Sequence, residues 1–305
     1  AYEDDPLRPL RLPRLASALG LKIDPGTAEA TRRHARLVAE PAAERVFAEL
    51  RGLLGSDAAV EGIQLLDELG LMQVVLPELA ALKGLEKTRY HHKDAYHHTL
   101  EVLENAIELE RSDYAVFGDA AAAVKKSMAR ELADELTFAG GLRWGALLHD
   151  IAKPLTRTDH GDGHIGFAGH DVRGADVVRR ICRRLHTSER FAQYVAALTR
   201  HHMRLGFLVP ERPLSRVQVY QYLVKSAPVE VEVGVLSVAD RLATRGRKHE
   251  LSIPPHIELA IELTAAALDF RANPIEPIIR GDQLAQALEI EPGPKLGELL
   301  AEIGG

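Results

Sequence analysis

Apolar residues return every three or four positions along almost the whole chain, the period of an α-helix with one buried face. In "EGIQLLDELGLMQVVLPEL", Ile63, Leu66 and Leu69 fall on one stripe, which Gly70 ends. "TLEVLENAIELE" places Leu100, Leu103 and Ile107 at the same spacing. In "HDVRGADVVRRICRRLHT" the stripe is Val172, Ala175, Val178, Ile181 and Leu185. "PPHIELAIELTAAALDF" opens on proline, which is favoured at the first turn of a helix. "VEVEVGV", from Val229 to Val235, alternates as a strand would. It follows Pro228 and runs straight into "LSVADRLA", so it is read as helix too. Residues 120–136 read as an additional surface helix. There are no internal repeats, and the fold class expected is all-α and multi-helical.

Three parts are expected: a helical module over residues 1–88, a histidine-bearing part over 89–250, and a helical tail over 251–305 that follows the polar "RGRKHE" turn. The formal charge of -6 argues against wholesale binding of nucleic acid while leaving room for local basic stripes. The lone Cys182 excludes an intrachain disulfide and fits a reducing, cytoplasmic setting. Neither a membrane-spanning run nor a signal-peptide pattern is present, so a soluble protein with no membrane partner is expected. The opening "AYEDDPLRPLR" has no Met, as a fragment or a trimmed product would have none.

The chemistry gathers around "RWGALLHDIAKPLT", an apolar helix that runs out into His149-Asp150 and is stopped at Pro154. The fourteen histidines are bunched, and with acids they give an ordered series: His98, His149-Asp150, His170, His201-His202, Asp240. A helical bundle can aim side chains from several helices at one interior point. The two oxygens of Asp150 can bridge two cations while His149 binds one of them. Mixed nitrogen and oxygen donors suit Mn, Fe, Co, Ni or Mg better than a structural zinc. Such ions can hold a phosphate and make water a nucleophile. His91, His92, His97, His160, His164 and His186 are left out of the set, although His97 could stand in for His98. His201 and His202 could both bind, or only one of them.

This order resembles the HD superfamily of metal-dependent phosphohydrolases. "YHHKDAYHHTLEVL", "LLHDIAKP" and "FAGHDVRGA" resemble more narrowly the HD domain of bacterial tRNA nucleotidyltransferases and poly(A) polymerases. The resemblance implies a central HD-type bundle flanked by neck and tail modules. It implies metal ligation by His98, His149, Asp150 and Asp240, with His170, His201 and His202 at a second ion. Asp150 and Lys153 would be catalytic, with Lys153 beside the substrate phosphate. In the neck, Asp5 and Arg8 match an Asp-x-x-Arg pair that faces a nucleotide base, and Glu44-Arg45 match a following motif. Without the resemblance, Asp5 and Arg8 read equally as a surface ion pair. The tail resembles helix-hairpin-helix modules, in which a turn at Gly293-Pro294 and Lys295 would receive a phosphate; a plain packing unit is the other reading.

Arg173, Arg180 and Arg184, flanked by Arg179 and Arg183, form a basic stripe that either faces solvent or positions RNA phosphates. The Ser112–Gly141 insertion is expected to lie outside the metal site. No Gly-Ser loop with paired acids is present, so the nucleotidyltransferase head is expected to be missing, upstream or in trans, and nucleotide addition is not expected from this chain alone. Two functions remain: a metal-dependent phosphohydrolase or phosphodiesterase acting on nucleotide or RNA-end phosphoesters, and a non-catalytic tRNA-binding body.

Overall fold

A computed structural model describes residues 2–85, 94–161, 165–244, 249–273, 281–291, 293, 295–297 and 299. His91, His92, His164, Pro294, the 88/89 boundary and most of the "RGRKHE" turn lie outside the described residues. The protein is all-α: the described residues form seventeen α-helices and two short antiparallel strand pairs. None of these helices is long and apolar enough to cross a membrane. Two compact units divide the chain, Ala1–Ala267 and Leu268–Gly305.

The first unit opens with α1 (Arg8–Leu19), α2 (Pro25–Arg33), α3 (Ala43–Leu54), α4 (Ala59–Glu68), α5 (Met72–Val75) and α6 (Pro77–Ala80). Ile63, Leu66 and Leu69 are buried as the stripe predicts, and Gly70 follows in the left-handed region at φ 72°. The bundle continues with α7 (Ala95–Arg111), α8 (Ala121–Met128), α9 (Phe138–Leu148), α10 (Lys153–Thr156), α11 (His170–Arg184) and α12 (Glu189–His201). After them come α13 (Arg204–Leu208), α14 (Arg216–Ser226), α15 (Glu230–Ala243) and α16 (His249–Ala272), which passes into the second unit. The second unit holds α17 (Gly281–Leu288).

Helix α9 is the axis of the bundle. Every residue from Gly141 to Leu148 is buried, as an apolar sequence on all faces requires. Helices α7, α12 and α15 pack around it, and α11 packs on α12. Two glycines allow α12 to pack closely on its neighbours. A Cβ on Gly145 would lie 2.5 Å from Leu198 Cδ1, and one on Gly174 would lie 2.7 Å from Thr199 Cγ2. Side-chain oxygens cap the helices that matter here: Asp94 accepts from His97 N, Thr137 from Gly140 N and Ser188 from Phe191 N.

Arginines join residues 1–88 to the bundle. The buried Arg143 on α9 donates to Leu54 O at 3.0 Å and Ser56 O at 2.8 Å, at and just past the end of α3, and to Glu110 Oε2 on α7. Arg51 donates to Asp134 O and Glu135 Oε2. Arg184 meets both oxygens of Glu78 at 2.6 and 2.8 Å and also reaches Val75 O.

Four local expectations are resolved here. "VEVEVGV" is helical, and its alternation misleads because α15 is buried on all sides, Glu230 and Glu232 included. Residues 120–136 are not one helix. α8 ends at Met128, and strands β1 (Glu131–Ala133) and β2 (Leu136–Thr137) pair through Asp134 and Glu135, both at positive φ. Asp134 Oδ2 accepts from Ser188 N and Oγ, which holds that turn against the start of α12. Pro254 and Pro255 lie inside α16 rather than at its start. Val172 is exposed, and the buried face of α11 runs instead through Gly174, Ala175, Val177, Val178, Ile181 and Cys182.

Replacing Arg143 leaves two carbonyls and Glu110 without their donor. Arg143→Met is expected to lower unfolding free energy by about 2–4 kcal/mol in urea titration. A loss below about 0.5 kcal/mol would show the clasp to be dispensable.

Candidate metal centre

Helix ends explain how the imidazoles are aimed. His149 directly follows α9 and His202 directly follows α12. Carbonyls in a last helical turn have no intrahelical partner. Each of these histidines donates its Nδ1–H to one of them, His149 to Ala146 O and His202 to Thr199 O, both at 2.8 Å. His170, which opens α11, donates Nδ1–H to Phe167 O at 2.7 Å. In all three the acceptor lies three residues earlier, which fixes the tautomer and leaves Nε2 facing inward with its lone pair.

Asp150 lies where these nitrogens meet, 2 % exposed. Its Oδ2 is 3.2 Å from His149 Nε2 and 3.9 Å from His98 Nε2. Its Oδ1 is 3.2 Å from His170 Nε2 and 3.8 Å from His202 Nε2. The half-buried Asp240 closes the ring with Oδ1 3.0 Å from His98 Nε2. Donor atoms of His98, His149 and Asp240 lie within 4.8 Å of one another, and so do those of Asp150, His170 and His202. His149 Nε2 is buried with no hydrogen-bond partner. An orphaned buried nitrogen among mixed nitrogen and oxygen donors fits a divalent cation.

Electrostatics within the ring run in opposite directions. Burial alone would raise the Asp150 pKa, but Lys153 and His149 outweigh it and hold the carboxyl well below its ordinary range. Burial works to lower the pKa of His149, and Asp150 overcomes it, so the net shift is upward. For His202 burial prevails, helped by His149, and its pKa falls to about 4. Asp240 is lowered despite burial, chiefly by its contact with His98.

Of the sequence-predicted ligands, the structure gathers His98, His149, Asp150, His170, His202 and Asp240. His97 faces out and contacts its helix cap Asp94, so His98 is the inward member of that pair. His201 stands apart from the ring, its Nδ1 accepting from Arg204 Nε at 3.4 Å and Nη2 at 3.3 Å. Burial and the adjoining Arg204 and Arg200 lower its pKa to about 4. His160 and His186 are exposed, and His186 pairs with Glu44.

Lys153 is buried, with Nζ 2.5 Å from Asp150 Oδ2 and 5.7 Å from the centre of the Phe167 ring. Asp5 Oδ2 is 3.0 Å from Arg11 and 3.6 Å from Arg8, and Arg45 approaches Oδ1 at 3.8 Å. Arg180, like Arg173 and Arg183, is exposed on α11, whereas Arg184 is engaged by Glu78. Lys295 is exposed in the second unit.

Sequence reasoning missed Asn105, whose Nδ2 donates to Ala239 O at 2.9 Å and so ties α7 to the backbone next to Asp240. Its signal was its place seven residues after His98, hence on the same helix face.

The stoichiometry is open to a direct count. After equilibrium dialysis against Mn(II), elemental analysis is expected to find two equivalents on the chain and one on His202→Ala. Finding none on the parent chain would contradict the fit.

Comparison with known proteins bears on both halves of the first unit. Residues 20–83 match the family described as "Probable RNA and SrmB-binding site of polymerase A", and residues 95–245 match the HD domain. All six gathered residues and Lys153 lie within the second match. The A-adding tRNA nucleotidyltransferase of Deinococcus radiodurans is 32% identical over 303 residues, covering 97% of this chain and 62% of the relative. The CC-adding tRNA nucleotidyltransferase of Thermus thermophilus is 32% identical over 307 residues, covering 98% and 61%. The multifunctional CCA protein of Actinobacillus pleuropneumoniae is 29% identical over 230 residues, covering 73% and 50%. The chain thus spans about three fifths of the length of the first two relatives. Its sequence thus matches a probable RNA-binding site of polymerase A followed by an HD domain, and these relatives are named as tRNA nucleotidyltransferases or a CCA protein.

Proposed function

We propose that the chain is a divalent-metal-dependent phosphohydrolase or phosphodiesterase acting on nucleotide or RNA-end phosphoesters, within a tRNA nucleotidyltransferase-like polypeptide. The observation that supports this most is the placement of Asp150, whose two oxygens address two separate donor groups. His98, His149 and Asp240 would hold one cation, and His170 and His202 the other, with Asp150 shared. When bound, one or two ions of Mn, Fe, Co, Ni or Mg supply a Lewis acid at the phosphoryl oxygen and lower the pKa of water.

The chain's own residues do the rest. The Nδ1–H bonds to backbone carbonyls hold three rings in one orientation. Asp150 and its sequence neighbours Leu148, Ile151 and Ala152 are buried, and electrostatic contacts in such surroundings are correspondingly stronger. The Lys153 ammonium offsets negative charge that gathers on the substrate.

Asp150→Asn keeps the shape of the side chain and removes its anionic charge. We expect it to lower hydrolysis of 2′,3′-cyclic nucleotides and of a generic phosphodiester by at least ~10²-fold, with the circular dichroism of the parent. Hydrolysis at the parent rate would refute the assignment.

A second reading has separate support. Residues 20–83 match an RNA-binding family, and the relatives are named for adding nucleotides to tRNA. In that reading the chain is a body that holds tRNA, with Arg173, Arg180, Arg183 and Lys295 on phosphates and Asp5 and Arg8 at a nucleotide, while a head domain upstream or in trans carries out the transfer. One polypeptide can join both roles. Filter binding of tRNA is expected to weaken about tenfold or more between 50 and 200 mM KCl. Binding that ignores salt, or no binding, counts against it.

A further inference from the structure

The hydrolase reading leaves one cavity unused. The start of α11, the end of α12, α13 and α14 border an open cavity of about 450 Å³. That size lies within the range of small-ligand sites. Its lining continues in sequence from two of the gathered imidazoles: Asp171 follows His170, and Met203 follows His202.

Three cations, Arg200, Arg204 and Lys225, face two carboxylates, Asp171 and Glu211. Arg200 pairs with Asp171, and Glu211 accepts from Gln218 Nε2 at 2.7 Å. Arg204 has no carboxylate within 4 Å among the described residues; its guanidinium meets only the imidazole of His201. A planar guanidinium without an acid is suited to the oxygens of a phosphate. On the same lining Phe207 is 68% exposed, so its ring is accessible to a stacking partner. Nucleobases stack on such rings, and the Gln221 amide can meet a base edge.

We propose that this cavity binds a nucleotide, with its phosphate on Arg204 and its base on Phe207. As a substrate-positioning site it rests on the hydrolase reading and specifies what the substrate presents; the binding itself does not need the metal centre.

The test is calorimetry of AMP, adenosine and inorganic phosphate with the full chain in EDTA. AMP is expected to bind at least about tenfold more tightly than either fragment, and Arg204→Met and Phe207→Ala are each expected to weaken AMP about tenfold or more. Displacement of AMP by a 3′-phosphorylated trinucleotide assigns the ligand to an RNA end, and lack of displacement to a free nucleotide. AMP that fails to bind in EDTA, or binds both variants as it binds the parent, overturns the proposal. Because Asp150→Asn is assayed by hydrolysis and this site by binding without metal, either assignment can fail alone.

Discussion

A carboxylate withdrawn from water as far as Asp150 must find compensating charge or donors close by, or it would cost several kcal/mol. Here compensation comes from a lysine one turn on and from imidazoles carried by separate helices. The arrangement of α7, α9, α11 and α12 is the arrangement that brings those rings to one acid. Its geometry draws on an unavoidable feature of helices. Where α9 and α12 stop, their last carbonyls need donors, and a histidine placed just past the end supplies an N–H to the carbonyl and turns its other nitrogen inward. An apolar helix that leaves the core at His149-Asp150 therefore satisfies its own end and builds the centre with the same two residues.

The sequence carried the all-α architecture and the order of the gathered residues, because both rest on local spacing. Within adjacent pairs it was less informative. His97 and His98 differ by about 100° in direction, and which faces inward depends on where α7 begins, which Asp94 fixes by capping it. His201 and His202 differ in the same way, and the end of α12 decides between them. The turn at Asp134 and Glu135 was hidden because two successive non-glycine residues occupy the left-handed region, which glutamate rarely does; a distant partner, Ser188, holds the aspartate there. Asn105 and Arg143 were missed for one reason: the partner of each polar group is set by packing between helices, which no single stretch of sequence shows.

The arginine clasps bear on how the two matched domains relate. Arg143, Arg51 and Arg184 reach across from either side of the junction to backbone carbonyls as well as acids. Bonds to carbonyls do not depend on the partner's titration, so the stretch matched to RNA binding and the stretch matched to the HD domain share one compact unit.

Gly145 and Gly174 bear on the same geometry. Each stands where α12 lies close against a neighbouring helix, at Leu198 and Thr199, three and two residues before the His201-His202 pair. A methyl at either position would force those side chains to shift, close to the turn that carries the His202 ring. Two hydrogens thus bear on where the His202 ring sits, and a substitution that disturbs the ring need not touch any of its residues.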